Sequence, residues 1–219
     1  MKAVAAAAIE QAQSGAFHLV DVSAAFEAVR ALRERVAALE DENQRLRSLS
    51  HDDELTGLGN RRAFNHQLEK AIDAQARYGG VVTVLLIDLD GMKRLNDTCG
   101  HPAGDDALRM VGQVLGTSLR GADSAARLGG DEFGVILPVT SESAAVQVAE
   151  RLRHRIESIQ LPQGLKLTAS IGVAGVTYCS ERAETRTSVL HRADQALYRS
   201  KRAGGNKIAV DGVHHLFGK

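Results

Sequence analysis

Two periods of apolar residues run along this chain, and the change between them divides it. From Val22 to Ser50 the period is seven. Val22, Val29, Val36, Asn43 and Ser50 share one heptad position, and Ala25, Leu32, Leu39 and Leu46 share another, three residues later. β-Branched residues at a, leucines at d and one asparagine at a favour a parallel two-stranded coiled coil. Charges beside the seam agree: Arg35 at g meets Glu40 at e of a second chain, and Glu42 meets Arg47. A single amphipathic helix folded onto its own domain is the alternative. Residues 1–21 are alanine-rich and broken at Gly15, which predicts a loose or frayed segment. Residues 51–61, with Gly57 and Gly59, read as a linker that stops the coil.

Beyond the linker the pattern is that of a globular domain over 62–210. A helix is expected from Arg62 to about Tyr78, with Phe64, Leu68 and Ile72 on one stripe. Val81 to Ile87 is a continuous apolar run, as in a strand buried on both faces, and it ends in Asp88-Leu89-Asp90. Gly91 to Gly100 reads as a short helical turn with a loop. Gly104 to Leu119 reads as a helix with Leu108, Val111, Leu115 and Leu119 inward. Two apolar runs then flank Gly129-Gly130-Asp131-Glu132, the pattern of a β-hairpin. Ser141 caps a helix running to about Ile159. Leu165 to Thr177 alternates as a strand, Thr187 to Arg202 is helical, and Asn206 to Val210 is a last strand. The tail from Asp211 to Lys219 reads as flexible, its His214-His215 pair as solvated. Helices alternate with strands, but the central hairpin is antiparallel. The expected fold is α+β, a palm-like, mainly antiparallel sheet flanked by helices, with an N-terminal coiled-coil helix.

Composition narrows the functions. The chain has 219 residues, and its 44% hydrophobic content supports a packed core. Lys+Arg and Asp+Glu both number 27, so no global field draws it to nucleic acid or to an anionic membrane. A phosphate-rich ligand would need a local site. Cys99 and Cys179 fit no metal spacing and suggest a reducing cytosol. No apolar run approaches the roughly 18 residues of a membrane span. The apolar stretch before Glu10 is too short for a signal peptide, so a cytoplasmic location is expected.

The candidate chemistry is acidic. Asp88 follows a core-forming run, where an ionised carboxylate is costly unless paired or metal-bound. Asp88 and Asp90 share one strand face. If the hairpin lies beside that strand, Asp88 and Asp131 converge with Glu132 adjacent, and convergent carboxylates suit Mg²⁺ and nucleotidyl transfer. Taken singly, the Gly-Asp turn and the strand-end acids also read as ordinary solvated groups. Gly91, Met92 and Lys93 stand at a helix start whose amides can cradle phosphate. Asn96 and Asp105 suit the donors of guanine, or equally a helix cap.

These motifs, in this order, resemble the GGDEF domain of the diguanylate cyclase family over Asp53 to about Val210. Asp53-Glu54-Leu55-Thr56-Gly57-Leu58-Gly59-Asn60-Arg61-Arg62 resembles the entry motif. Asp88-Leu89-Asp90 with Lys93, Asn96-Asp97, Gly100-His101 and Gly104-Asp105 resembles the nucleotide loop. Gly129-Gly130-Asp131-Glu132-Phe133 is the signature, and Ala193-Asp194, Ala196-Leu197-Tyr198 and Lys201 resemble the final helix.

The resemblance implies a dimeric enzyme that condenses two GTP into cyclic di-GMP. Asp88, Asp131 and the Leu89 carbonyl would hold Mg²⁺, with Mn²⁺ an alternative. Glu132 would be the second catalytic acid beside Asp131. Asn96 and Asp105 would hold guanine, Lys93 and Lys201 the β- and γ-phosphates, and Gly129 and Gly130 would lie under the nucleotide. Arg120 and Asp123 resemble the RxxD inhibitory site for the cyclic product, with Arg151 as its extra arginine. Residues 22–50 would pair two chains, and a protein regulator could act at the N-terminus. Two positions depart from the pattern: Met92 stands where an aromatic is usual, and Gly205 where an arginine commonly helps hold triphosphate. The rival reading is a catalytically weak module that binds GTP or cyclic di-GMP as a receptor.

Overall fold

The computed structural model describes residues 25–40, 51–176, 185–212 and the backbone of 216–217. In chain order the elements are α1 (25–40), β1 (Gly59–Asn60), α2 (Arg61–Tyr78), β2 (Val82–Asp90), α3 (Met92–Cys99), α4 (His101–Ser118), β3 (Ser124–Gly129), β4 (Glu132–Pro138), α5 (Glu142–Glu157), β5 (Thr168–Gly175), α6 (Arg186–Arg202), β6 (Ile208–Val210) and β7 (Leu216–Phe217). The chain divides into two compact units, Met1–Ser50 and His51–Lys219.

In the second unit the strands form one sheet in the order β1-β3-β4-β2-β5-β6-β7. β3, β4, β2 and β5 pair antiparallel in succession. β1 joins β3 and β6 joins β5 in parallel. The fold is therefore the expected α+β palm, mainly antiparallel, with helices on both faces. The apolar run of β2 explains the two layers. Leu85, Ile87 and Leu89 join the core under α3, α4 and α5. Val82 and Val84 join a second core under α2 and α6, with Phe64, Leu68, Ile72, Val189 and Ala193. Each of these buried side chains larger than alanine contributes about 1.5–3 kcal/mol. Alternation then places Asp88 and Asp90 on the α2/α6 face.

Several boundaries differ from expectation. β2 runs through Asp90 rather than stopping at Ile87, because Asp88, Leu89 and Asp90 keep their register with Ser170, Ala169 and Thr168 of β5. Residues 51–61 are not a free linker. Asp52 bridges Gly59, Asn60 caps α2, and the Asp53 carboxylate accepts from the Thr56 amide and hydroxyl. Strand β5 begins at Thr168, after a tight turn at Pro162–Gly164. The tail expected to be flexible supplies β7, paired antiparallel with Ile208 and Ala209.

In the first unit, α1 carries Val29, Leu32, Val36 and Leu39 exposed, with Phe26 beside them at 73% exposure. Its Arg30–Glu34 ion pair lies away from that seam, at the b and f positions. Val22, Asn43, Leu46, Ser50 and the Glu42 and Arg47 charges lie outside the described residues, as do 1–21 and the His214-His215 pair. Among the described residues no helix is long and apolar enough to cross a membrane.

Candidate active site

The site forms where β2 meets the β3–β4 hairpin. Register places Asp88 directly opposite Glu132. The Leu89 amide donates to the Asp131 carbonyl at 3.2 Å, tying the turn to the strand. The turn needs glycine, since Gly129 and Gly130 hold φ of 144° and 53°. Asp88 is buried, Asp131 partly buried and Glu132 exposed. Lys201, near the end of α6, reaches Asp88 Oδ2 at 2.5 Å. Burial pushes the Asp88 carboxyl above its usual range. Lys201 opposes that shift, and the neighbouring charges of Asp131 and Asp90 add to it. A cavity of about 520 Å³ opens here, lined in part by Asp88, Glu132, Tyr198 and Lys201. Its size is that of an ordinary small-molecule site.

This donor set fits a hard divalent cation. Asp88 and Asp131 are close enough to repel each other, and the Leu89 carbonyl follows on the same strand. Among the described residues no group of three or more His, Cys, Asp or Glu is arranged to hold a metal. Two carboxylates plus a carbonyl match Mg²⁺, which keeps the rest of its shell for water and substrate phosphate.

The other predicted residues fall in three places. Lys93 is exposed in the first turn of α3, whose N-terminus at Gly91 carries no side-chain cap, so its amides are open to an anion. Asn96, on α3, lies against Gly104 of α4, next to Asp105. A Cβ at Gly104 would fall 2.0 Å from Asn96 Oδ1, so any side chain there would displace the Asn96 amide. That Oδ1 is buried with no hydrogen-bond partner. Away from these, the Asp123 carboxylate accepts from the Arg120 amide at 2.9 Å, closing a turn. Arg151 donates to the Ser118 carbonyl just before it, so all three share one corner.

Both departures have a structural setting. Met92 is buried in the core with Leu95, so the position packs. Gly205 has φ +74°, and a Cβ there would crowd the Asp90 carboxylate at 3.1 Å.

Asp90 is the residue whose role the pattern did not disclose. It accepts from the hydroxyls of Thr168 and Ser170 and from the Asn206 amide at 2.9–3.2 Å. Asn206 in turn bonds to Arg153 and Glu157 of α5. Asp90 is therefore a staple that fixes the turn after Lys201. Asp90→Ala should cost about 2–4 kcal/mol of stability, because it strands several donors at once. Urea unfolding checks this, and a loss below about 1 kcal/mol would contradict it. Sequence reading also missed Arg127. It donates to the Gly130 carbonyl at 3.0 and 2.8 Å and pairs with Asp53 at 3.4 Å. A charged residue inside a short strand was the available signal.

Comparison with known proteins agrees with this geometry. The family described as diguanylate cyclase, GGDEF domain, matches residues 50–207. Diguanylate cyclase DgcP of Pseudomonas aeruginosa is 40% identical over 194 residues, covering 83% of this chain and 28% of that protein. Diguanylate cyclase A of Treponema denticola is 36% identical, covering 80% and 48%. The chain thus spans less than half the length of these two relatives. Among solved structures, the coiled coil and GGDEF domain of DgcB from Caulobacter crescentus, in complex with c-di-GMP, superposes with a TM-score of 0.69. It is 31% identical and covers 83% of this chain and 96% of that one. Diguanylate cyclase SiaD of Pseudomonas aeruginosa, in complex with its activator SiaC, gives 0.68 at 32% identity, covering 93% and 78%. With the signature hairpin, the paired carboxylates and the palm sheet all in place, the chain belongs to the GGDEF-domain family of diguanylate cyclases.

Proposed function

We propose that this protein is a diguanylate cyclase, active as a dimer, that condenses two GTP into cyclic di-GMP and two pyrophosphates. The observation that carries the reading is the register of β2 against β4, which sets Asp88 opposite Glu132 beside a cavity reached by Lys201. One domain holds one nucleotide, so two domains must face each other. The 3′-hydroxyl of each GTP then attacks the α-phosphorus of the other in line, and pyrophosphate leaves. Glu132 supports the attacking hydroxyl. Lys93 and the open start of α3 hold phosphate oxygens, and Lys201 meets them when it releases Asp88. Asn96 and Asp105 read guanine, the buried Asn96 oxygen accepting an N–H of the base. Asp105 favours guanine because a carboxylate is repelled by the acceptor N1 of adenine. Asp88, Asp131 and the Leu89 carbonyl would hold Mg²⁺ or Mn²⁺, which when bound neutralises triphosphate charge and the leaving pyrophosphate.

The exposed apolar seam of α1 supports the stalk as the dimerising element, by the coiled-coil pairing of residues 22–50. A protein that binds the N-terminal unit could then control the spacing of the two sites. The SiaD structure, which holds an activator, supports a regulator of that kind. Gly205 favours a second reading, a receptor with a weak hold on triphosphate. Incubating the purified protein with GTP and Mg²⁺ and resolving the products by chromatography separates the two. Cyclic di-GMP supports the enzyme, and unchanged GTP overturns it.

The corner of Arg120, Asp123 and Arg151 is the proposed inhibitory product site. Arg120→Ala should leave the initial rate within about twofold and raise the product concentration needed for inhibition by about tenfold or more, the loss expected for a charge-assisted contact. Initial rates with added cyclic di-GMP measure it. Inhibition as strong as in the parent would return Arg120 and Asp123 to a structural turn.

A further inference from the structure

Arg61 stands where helix electrostatics disfavour it. A helix N-terminus carries partial positive charge and attracts acids. Yet α2 opens with Arg61 and Arg62 and has no acidic residue in its first turn. Capping does not need the arginine, because Asn60 Oδ1 accepts from the Arg62 and Ala63 amides at 3.0 Å. A residue that breaks a local rule points to a contact elsewhere.

Arg61 makes that contact with the signature hairpin. Its Nε donates to the Leu128 carbonyl at 2.6 Å, and its Nη2 lies 3.4 Å from Glu132 Oε2. The same guanidinium faces Gly129, where a Cβ would sit 3.7 Å from Nη2. One planar fork therefore spans the glycine turn, from the residue before Gly129 to the acid after Asp131. Its base is fixed, since Gly59 and Asn60 pair in register with Ala126 and Arg127. Arg127 grips the Gly130 carbonyl of the same turn. The Arg61–Glu132 pair is more than half exposed on both sides, so it adds little stability. What it sets is direction.

We propose that Arg61 is a positioning residue for the cyclase reaction: it fixes the shape of the glycine turn and the aim of the Glu132 carboxylate without itself holding nucleotide. This rests on reading Glu132 as a catalytic acid. Lysine cannot replace it, because an ammonium lacks the fork that reaches a carbonyl and a carboxylate together.

The test compares Arg61→Ala, Arg61→Lys and the parent in the full chain. It measures kcat and KM for GTP, calorimetric binding of 3′-deoxy-GTP with Mg²⁺, and thermal unfolding. Arg61→Ala should lower kcat about 10- to 100-fold, the scale of a small misplacement of a reacting group. KM and 3′-deoxy-GTP affinity should stay within about twofold, and the melting temperature within about 2 °C. Arg61→Lys should fail to restore kcat. Arg61→Gln, which keeps a donor but no charge, guards against a misfolded alanine variant and should also lose kcat. Unchanged kcat, a loss confined to KM and affinity, or full rescue by lysine would each overturn the proposal. An active parent with an equally active Arg61→Ala sinks only this inference. An inactive parent sinks the cyclase reading, and this one with it.

Discussion

Asp131→Ala and Glu132→Ala should each abolish cyclic di-GMP synthesis in a protein that still folds. Both side chains belong to the glycine hairpin and neither enters the hydrophobic core, which is built from Phe133 and the alternating residues beyond it. The contact that ties Asp131 to β2 uses its backbone carbonyl, which alanine retains. Truncation at such a surface turn ordinarily changes stability by about 0.5 kcal/mol or less. The chemical loss is of another order. A carboxylate that holds the metal or supports the attacking hydroxyl is worth several kcal/mol in the transition state, so the rate should fall by about a thousandfold or more. Product chromatography beside a thermal melt reads both effects. Retained turnover in a well-folded variant would remove the catalytic assignment. Asp88→Ala is a poorer probe, because Asp88 is itself buried at the end of β2 and its loss also removes the ion-pair partner of Lys201.

The parts of the site that were legible in the sequence are the local ones. The apolar run before Asp88 required a strand covered on both faces, and two glycines between apolar runs required a hairpin. Their convergence was a conditional statement, and the pairing of Asp88 with Glu132 meets the condition. Pairwise contacts over long separations were not legible. Nothing near Asp90 marks Thr168, Ser170 and Asn206 as its partners, because they arrive from β5 and the turn after α6. The stretch 51–61 read as a linker since its glycines and acids fit a loop. Its order comes from local bonds such as Thr56 to Asp53, joined to distant ones: β1 pairs with β3, and Asp53 meets Arg127, 74 residues away. Short edge strands such as β7 carry too few residues to show a period.

The stalk carries the other large effect. Deleting residues 1–50 should leave a folded monomer that binds GTP but makes little cyclic di-GMP at dilution. The unit from His51 onward has its own sheet and both of its cores, so it holds what folding requires. What it lacks is a second nucleotide, and the reaction becomes second order in protein. A short tether raises the local concentration of the partner half-site to roughly the millimolar range. Assays at nanomolar protein lie about a millionfold below that, so nearly all activity should vanish there. Part of it should return on concentration. The exposed run of Val29, Leu32, Val36 and Leu39 is the reason to expect the intact chain to pair instead, since each heptad buries two such residues only against a second copy. Specific activity against protein concentration, with sedimentation alongside, decides the matter. The full chain should hold a constant specific activity while it sediments as a dimer, and the truncated chain should rise steeply from near zero. If the truncated monomer cyclises GTP as well as the full chain at nanomolar protein, then pairing of the active sites does not depend on the stalk.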